Sequence, residues 1–304
     1  MSRYPKKVTL VEVGPRDGLQ NVSTQVDTQV RIRYINLLAD SGLGVIEAGA
    51  FVSPKWVPAM ADSDAVLAGI DQRPGIRYPV LVPNMRGLER ALECGISEIA
   101  IFISASESFS QKNINVSIAD SITRYLPVCE QALATNVRIR GYVSCVLDCP
   151  YEGTIKPQQV SVAAQRLADL GCHEISLGDT TGTGTPLAAQ HMVEAVRKRL
   201  PKLPLAAHFH DTYGQALANL LAVMELGISI IDSAAGGLGG CPYAPGAAGN
   251  VATEDVVYML DGMGIRTGVD NTSVVAAAQY MASALGTGIT SRVGRALTGN
   301  NTSL

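Results

Sequence analysis

Leu205-Ala206-Ala207-His208-Phe209-His210-Asp211-Thr212-Tyr213-Gly214 is the stretch whose reading decides the fold. Residues 205–210 are an apolar run with the character of a buried β-strand. Side chains two apart on a strand share a face. The two imidazoles, half of the four histidines in the chain, therefore converge on one point. Such a pair at the exit of a buried strand is costly to desolvate unless something binds it, and converging neutral imidazoles suit a divalent cation. The run then breaks into His210-Asp211-Thr212-Tyr213-Gly214, a strand-to-helix turn. Polar groups at the carboxyl end of a strand that feeds a helix are the signature of a parallel α/β sheet.

The same alternation extends in both directions. Strand-like runs are expected at residues 8–13, 45–51, 78–83, 98–104, 137–145, 173–178, 205–210 and 228–233. Helix-like stretches lie between them at 28–39, 62–70, 86–94, 117–134, 157–170, 186–200, 215–226 and 253–262. Gly42, Gly95, Gly171, Gly227 and Gly262 read as helix stops, and Pro157 and Pro186 as first-turn residues. Eight strand–helix units within residues 8–265 predict a (β/α)8 TIM barrel, an α/β fold of about 250 residues. A doubly wound open sheet would carry a glycine-rich phosphate turn early in the chain. Val13-Gly14-Pro15-Arg16-Asp17-Gly18 is not G-x-G-x-x-G. Residues 266–304 read as a short C-terminal helical appendage, with a helix over 273–285, and the absence of a linker or repeat predicts a single domain.

Bulk composition narrows the function. The 304 residues are 47% hydrophobic and 17% charged, with a formal charge of -3. That describes a soluble globular protein with no electrostatic footprint for nucleic acid or an anionic membrane. No apolar run approaches the roughly 20 residues of a membrane helix. Residues 1–7 are too short for a secretory or transit signal, so a cytoplasmic protein is expected. Cys94, Cys129, Cys145, Cys149, Cys172 and Cys241 follow no disulfide framework or zinc spacing and read as reduced.

In a TIM barrel the active groups stand at the C-terminal ends of the strands, and the polar outliers of this chain fall there. Arg16 and Asp17 follow strand one, Glu47 lies on strand two, Asp179 follows strand six, and His208 and His210 end strand seven. Asp17 adds a carboxylate to the two imidazoles, although before Gly18 it also suits a turn. Asn250 offers an amide oxygen to a hard cation or a cap to the next helix. Arg16 reads as a surface arginine or, beside a metal-bound oxygen, as a fixed guanidinium that stabilises developing negative charge. Glu47, a carboxylate amid apolar strand residues, needs a partner, and Arg16 is the candidate. The glycine-rich run from Gly236 to Gly246 reads as a phosphate cradle or as a lid that carries Cys241 over the site.

Taken together, Glu12-Val13-Gly14-Pro15-Arg16-Asp17-Gly18-Leu19-Gln20-Asn21, Phe51-Val52-Ser53-Pro54-Lys55-Trp56, Ser176-Leu177-Gly178-Asp179-Thr180, His208-Phe209-His210-Asp211 and Gly237-Leu238-Gly239-Gly240-Cys241-Pro242-Tyr243 resemble the 3-hydroxy-3-methylglutaryl-CoA lyase family. These are metal-dependent barrel lyases that share an Asp-Arg-Glu motif. The resemblance implies that Asp17, His208, His210 and Asn250 are ligands of Mg²⁺ or Mn²⁺. It implies that Arg16 meets the substrate's enolate, that Cys241 is the catalytic loop cysteine, and that Glu47 and Asp179 support catalysis. His208 or Asp179 would serve as base. A small-molecule acyl-CoA substrate, a homodimer, and a place in leucine degradation and ketone-body formation are implied with them. Two departures stand out. No basic residue follows Gln20-Asn21, where Val22, Ser23 and Thr24 stand, and no cysteine follows Cys241.

The implied reaction is cleavage of the C2–C3 bond of (S)-3-hydroxy-3-methylglutaryl-CoA to acetoacetate and acetyl-CoA. A lyase for longer 3-hydroxy-3-alkylglutaryl-CoA substrates and a related Claisen synthase are the rival enzymes. The synthase commonly carries C-terminal regulatory sequence for which this chain lacks the length. A metal-dependent hydrolase would place H-x-H on the first strand. A non-catalytic metal- or acyl-CoA-binding barrel would not need Arg16, Asp17, Glu47 and Cys241 together.

Overall fold

The computed structural model describes residues 3–20, 22, 24–241 and 244–299, with 241 and 244–248 described as backbone. Eight parallel strands form the barrel: β1 (Thr9–Glu12), β2 (Val45–Ile46, resuming at Gly49–Ala50), β3 (Val80–Leu81), β4 (Glu98–Ser104), β5 (Arg138–Ser144), β6 (Glu174–Asp179), β7 (Leu205–Phe209) and β8 (Ile230–Ser233). Each strand pairs with its sequence neighbour, and β8 returns to β1 with Thr9 opposite Ile230. The ring closes through β2. Its first half pairs with β1 and its second with β3, while Ile46 N and Ala48 N donate to Arg77 O and Pro79 O, each at 3.0 Å. The interruption falls at Glu47, the residue that carries a charge into this strand.

The helices follow from their ends. Asp27, Asn84, Ser117 and Asp270 cap α1 (Thr28–Asp40), α3 (Met85–Glu93), α5 (Ile118–Ala134) and α10 (Asn271–Ala284), each accepting a first-turn amide. Helix α2 spans Ser63–Gly69. Pro157 and Pro186 open α6 (Pro157–Asp169) and α7 (Pro186–Arg199), as expected. After α8 (Ala216–Met224) the left-handed residue is Gly227, as expected; after α9 (Thr253–Gly262) it is Gly264, not Gly262, which closes the helix itself. One helix escaped the periodicity: α4 (Glu107–Ile114), a polar segment capped by Ser106. The appendage is α10, packed on α1, followed by α11 (Arg292–Gly299), packed on α9.

The barrel interior is not wholly apolar. Arg140, on β5, is buried and reaches across to β6 and β8. It donates to Glu174 Oε1 (2.5 Å), Tyr142 Oη (2.5 Å) and both oxygens of Asp232 (2.6 and 3.0 Å). Buried charges persist only when paired and hydrogen-bonded. This cluster meets that condition and forms a polar floor beneath the mouth.

Candidate active site

The turn after β1 is a wide helical one, Gly14–Gly18, in which Val13 O accepts Gly18 N (3.1 Å). Gly14 is required there: a Cβ would stand 2.5 Å from Glu12 Oε1 and 2.7 Å from Tyr34 Oη. The turn delivers Arg16 and Asp17 to the barrel mouth. Arg16 donates through Nε to Glu47 Oε2 (2.8 Å) and through Nη1 to Asp17 Oδ1 (2.7 Å), and its guanidinium lies 5.5 Å from the centre of the Tyr142 ring. Tyr142 Oη donates to Glu47 Oε2 (3.3 Å). The expected Arg16–Glu47 pair is thus present. Burial works against the charge on Arg16, but Glu47 and Asp17 outweigh it and tighten its hold on the proton. Burial also pushes the Glu47 carboxyl up, against the two arginines.

Asp17, His208 and His210 meet at the same mouth, with ligating atoms all within 4.8 Å of one another. His208 Nδ1 is bonded to Asp232 Oδ2 (3.2 Å), which leaves Nε2 as the free ring atom. The buried His210 Nδ1 has no hydrogen-bond partner. Burial, with His208 beside it, pushes His210 down to about 4, so its imidazole is neutral, the form that ligates metal. Burial would raise Asp17, but Arg16 and then the histidines hold it down to about 2. Asn250 bridges to His210 and donates its amide nitrogen to Asp17 Oδ2 (2.8 Å) and Leu238 O (3.1 Å). Its amide oxygen is the remaining donor atom. One ionised carboxylate, one neutral imidazole whose Nδ1 lacks a hydrogen-bond partner and one imidazole aligned from behind by a carboxylate fit a divalent cation.

Around this trio lies a cavity whose wall also includes Leu81, Phe102, Phe109 and Tyr142. Asp179 does not itself line the cavity, although its neighbours Gly178 and Thr180 do. Its two oxygens accept Gly182 N (3.1 Å) and Gly184 N (3.0 Å), so it shapes the loop after β6, and burial pushes it up to about 6. Gly240 reaches the edge of the cavity. Cys241 follows as backbone in a short hairpin with residues 244–248, and its side chain lies outside the described residues. Asn21 of the first motif and Ser23 just after it also lie outside them.

Sequence reasoning passed over Asp232 and Tyr142. The signal for Asp232 was available: a carboxylate within Ile230-Ile231-Asp232-Ser233 is as conspicuous as Glu47 in its strand. Arg140 holds Asp232 well below the usual carboxylate range despite burial. Asp232→Asn is expected to weaken Mn²⁺ binding by about 10- to 100-fold, as loss of a partner behind a ligating histidine does. Calorimetric titration checks this, and undiminished affinity would detach Asp232 from the cation.

Residues 7–281 match the family described as HMGL-like. The chain is 54% identical over 296 residues to the cytoplasmic 3-hydroxy-3-methylglutaryl-CoA lyase of Rattus norvegicus, covering 97% of this chain and 86% of that one. It is 55% identical over 293 residues to the 3-hydroxy-3-isohexenylglutaryl-CoA/hydroxy-methylglutaryl-CoA lyase of Pseudomonas aeruginosa, covering 96% and 98%. The crystal structure of hydroxymethylglutaryl-CoA lyase from Pseudomonas aeruginosa superposes with a TM-score of 0.97 at 54% identity, covering 98% of this chain and all of that one.

Proposed function

The chain belongs to the HMGL-like family, and from that premise we propose that it cleaves (S)-3-hydroxy-3-methylglutaryl-CoA to acetoacetate and acetyl-CoA. The observation that carries the reading is the convergence of Arg16, Asp17, His208 and His210 on one cavity at the strand ends. A divalent cation, Mg²⁺ or Mn²⁺, held by Asp17, His208, His210 and Asn250 would supply the Lewis-acid charge that makes a tertiary hydroxyl easier to ionise.

The chain's own groups then account for the rest. The hydroxyl proton leaves to a base of the cavity. Of the two expected from the sequence, His208 lines that cavity but would give its one free nitrogen to the cation, while Asp179, held by loop amides, stands between the lining residues Gly178 and Thr180. The C3–O bond becomes a ketone as the C2–C3 bond breaks, and the bonding pair moves into the thioester as an enolate. Arg16, already fixed by Glu47 and Asp17, presents its charge there without reorganising. Cys241, carried in by its loop, returns a proton to C2 and completes acetyl-CoA, and the closed loop keeps water from competing for the carbanion. The reading includes a homodimer and a cytoplasmic setting, the latter in keeping with the name of the rat relative. Among the described residues no helix is long and apolar enough to cross a membrane.

Incubation with the thioester and Mg²⁺ should release acetoacetate and acetyl-CoA in equal amounts, and EDTA should abolish both. Release of free CoA alone would instead mark a thioester hydrolase. Parallel assay of 3-hydroxy-3-isohexenylglutaryl-CoA tests the longer-chain alternative that the Pseudomonas relative's name raises. Cys241→Ser should retain the fold and slow turnover. An unchanged rate would remove the thiol from the reaction.

A further inference from the structure

Directly after β8 the backbone turns through Ala235–Gly237, where Gly236 and Gly237 take φ of 74° and 67°. Two consecutive left-handed glycines make a soft joint. The structure does not leave it soft. Glu254, the second residue of α9, is buried and accepts Gly236 N with both carboxylate oxygens (3.1 and 3.0 Å). On the other side of the same residue, Gly236 O accepts the Thr290 hydroxyl (2.7 Å). Ser291 Oγ donates to Glu254 Oε1 in a short hydrogen bond. Glu12 Oε1 takes the preceding amide, Ala235 N (3.0 Å). Both backbone polar atoms of Gly236 are therefore gripped, and two of the gripping hydroxyls come from the connection between α10 and α11, outside the eight-unit barrel.

Glu254 has no ion-pair partner among the described residues. A buried carboxylate satisfied only by amides and hydroxyls is a costly way to fill space. Past the joint, Leu238 O is tied to Asn250 (3.1 Å) and Gly239 O to Gly249 N (3.2 Å). Five residues after Gly236 comes Cys241.

We propose that Glu254, Thr290 and Ser291 form a clamp on the root of the cysteine loop, which sets the angle at which Cys241 is presented to the substrate. They are positioning residues, and the clamp rests on the reading that Cys241 delivers the proton to C2. The C-terminal extension then takes part in catalysis without touching substrate.

Thr290 is exposed, so Thr290→Val removes the hydroxyl with little risk to folding. It should lower kcat about 3- to 10-fold, the effect of one lost hydrogen bond on the population of the aligned loop. KM, Mn²⁺ affinity and Tm should hold. Thr290→Ser should restore turnover, and Ser291→Ala should lower kcat in the same range. The decisive comparison repeats Thr290→Val in a Cys241→Ser background, where it should cost nothing further. An equal loss in both backgrounds would overturn the clamp's action through the thiol, as would wild-type kcat in both Thr290→Val and Ser291→Ala. Wild-type turnover in Cys241→Ser alone would overturn the thiol reading itself, a result separable from failure of the clamp.

Discussion

Arg16→Gln should leave the protein folded and able to bind Mn²⁺ while lowering kcat by about 10²- to 10³-fold, the scale of a lost oxyanion donor. The expectation follows from how the guanidinium is held. Glu47 takes Nε and Nη2, Asp17 takes Nη1, and Tyr142 covers one face. An arginine so fixed is aimed before any charge develops, and the charge it answers arises only as the C2–C3 bond breaks. Its loss should therefore fall on kcat more than on KM. Glutamine leaves the Glu47 carboxylate without its cation in a buried place. Burial already pushes that carboxyl up, so a proton taken up from solvent limits the damage to the fold. Steady-state kinetics beside a Mn²⁺ titration checks the split. Wild-type kcat in this variant would end the enolate role of Arg16.

Asp17→Ala is expected to weaken Mn²⁺ binding by more than the roughly 100-fold that a lost supporting partner costs. Asp17 is the one carboxylate of the trio, and the other two members are imidazoles. A hard cation binds through charge and oxygen, and this substitution removes both. It also exposes the cluster to the Arg16 guanidinium, whose charge Asp17 now offsets at 2.7 Å. Activity should fall to the level of the EDTA-treated enzyme and recover in part at high Mn²⁺. Binding by calorimetry within twofold of wild type would mean that the cation, if bound, sits elsewhere.

The parts of this molecule that could be read from residue order are those written locally. The barrel was legible because each strand–helix unit carries its own periodicity, and His208 and His210 because a two-residue spacing on a strand sets their common face. Glu47 pointed to Arg16 because a lone buried carboxylate demands a cation. The break in β2 was not legible, since residues 45–51 are uniformly apolar around that glutamate and only the closure of the ring shows where the ladder changes partner. Helix α4 was hidden by its polar composition. The position of Asp179 at a strand end could be read, but not the two loop amides, Gly182 N and Gly184 N, that its oxygens accept. The role of Arg140 shows only once two strands distant in sequence bring Glu174 and Asp232 to it.

That arginine also bears on how such barrels could be recombined. Arg140, Glu174 and Asp232 all lie in the half of the ring running from β5 to β8. A chimaera joined to a relative anywhere between Ser104 and Arg138 would inherit the whole ionic set from one parent. A junction between β5 and β6 would split it between two, and either parent's drift at a single member would strand a charge in the interior. Crossover libraries of this enzyme should therefore yield viable progeny mostly at the first seam.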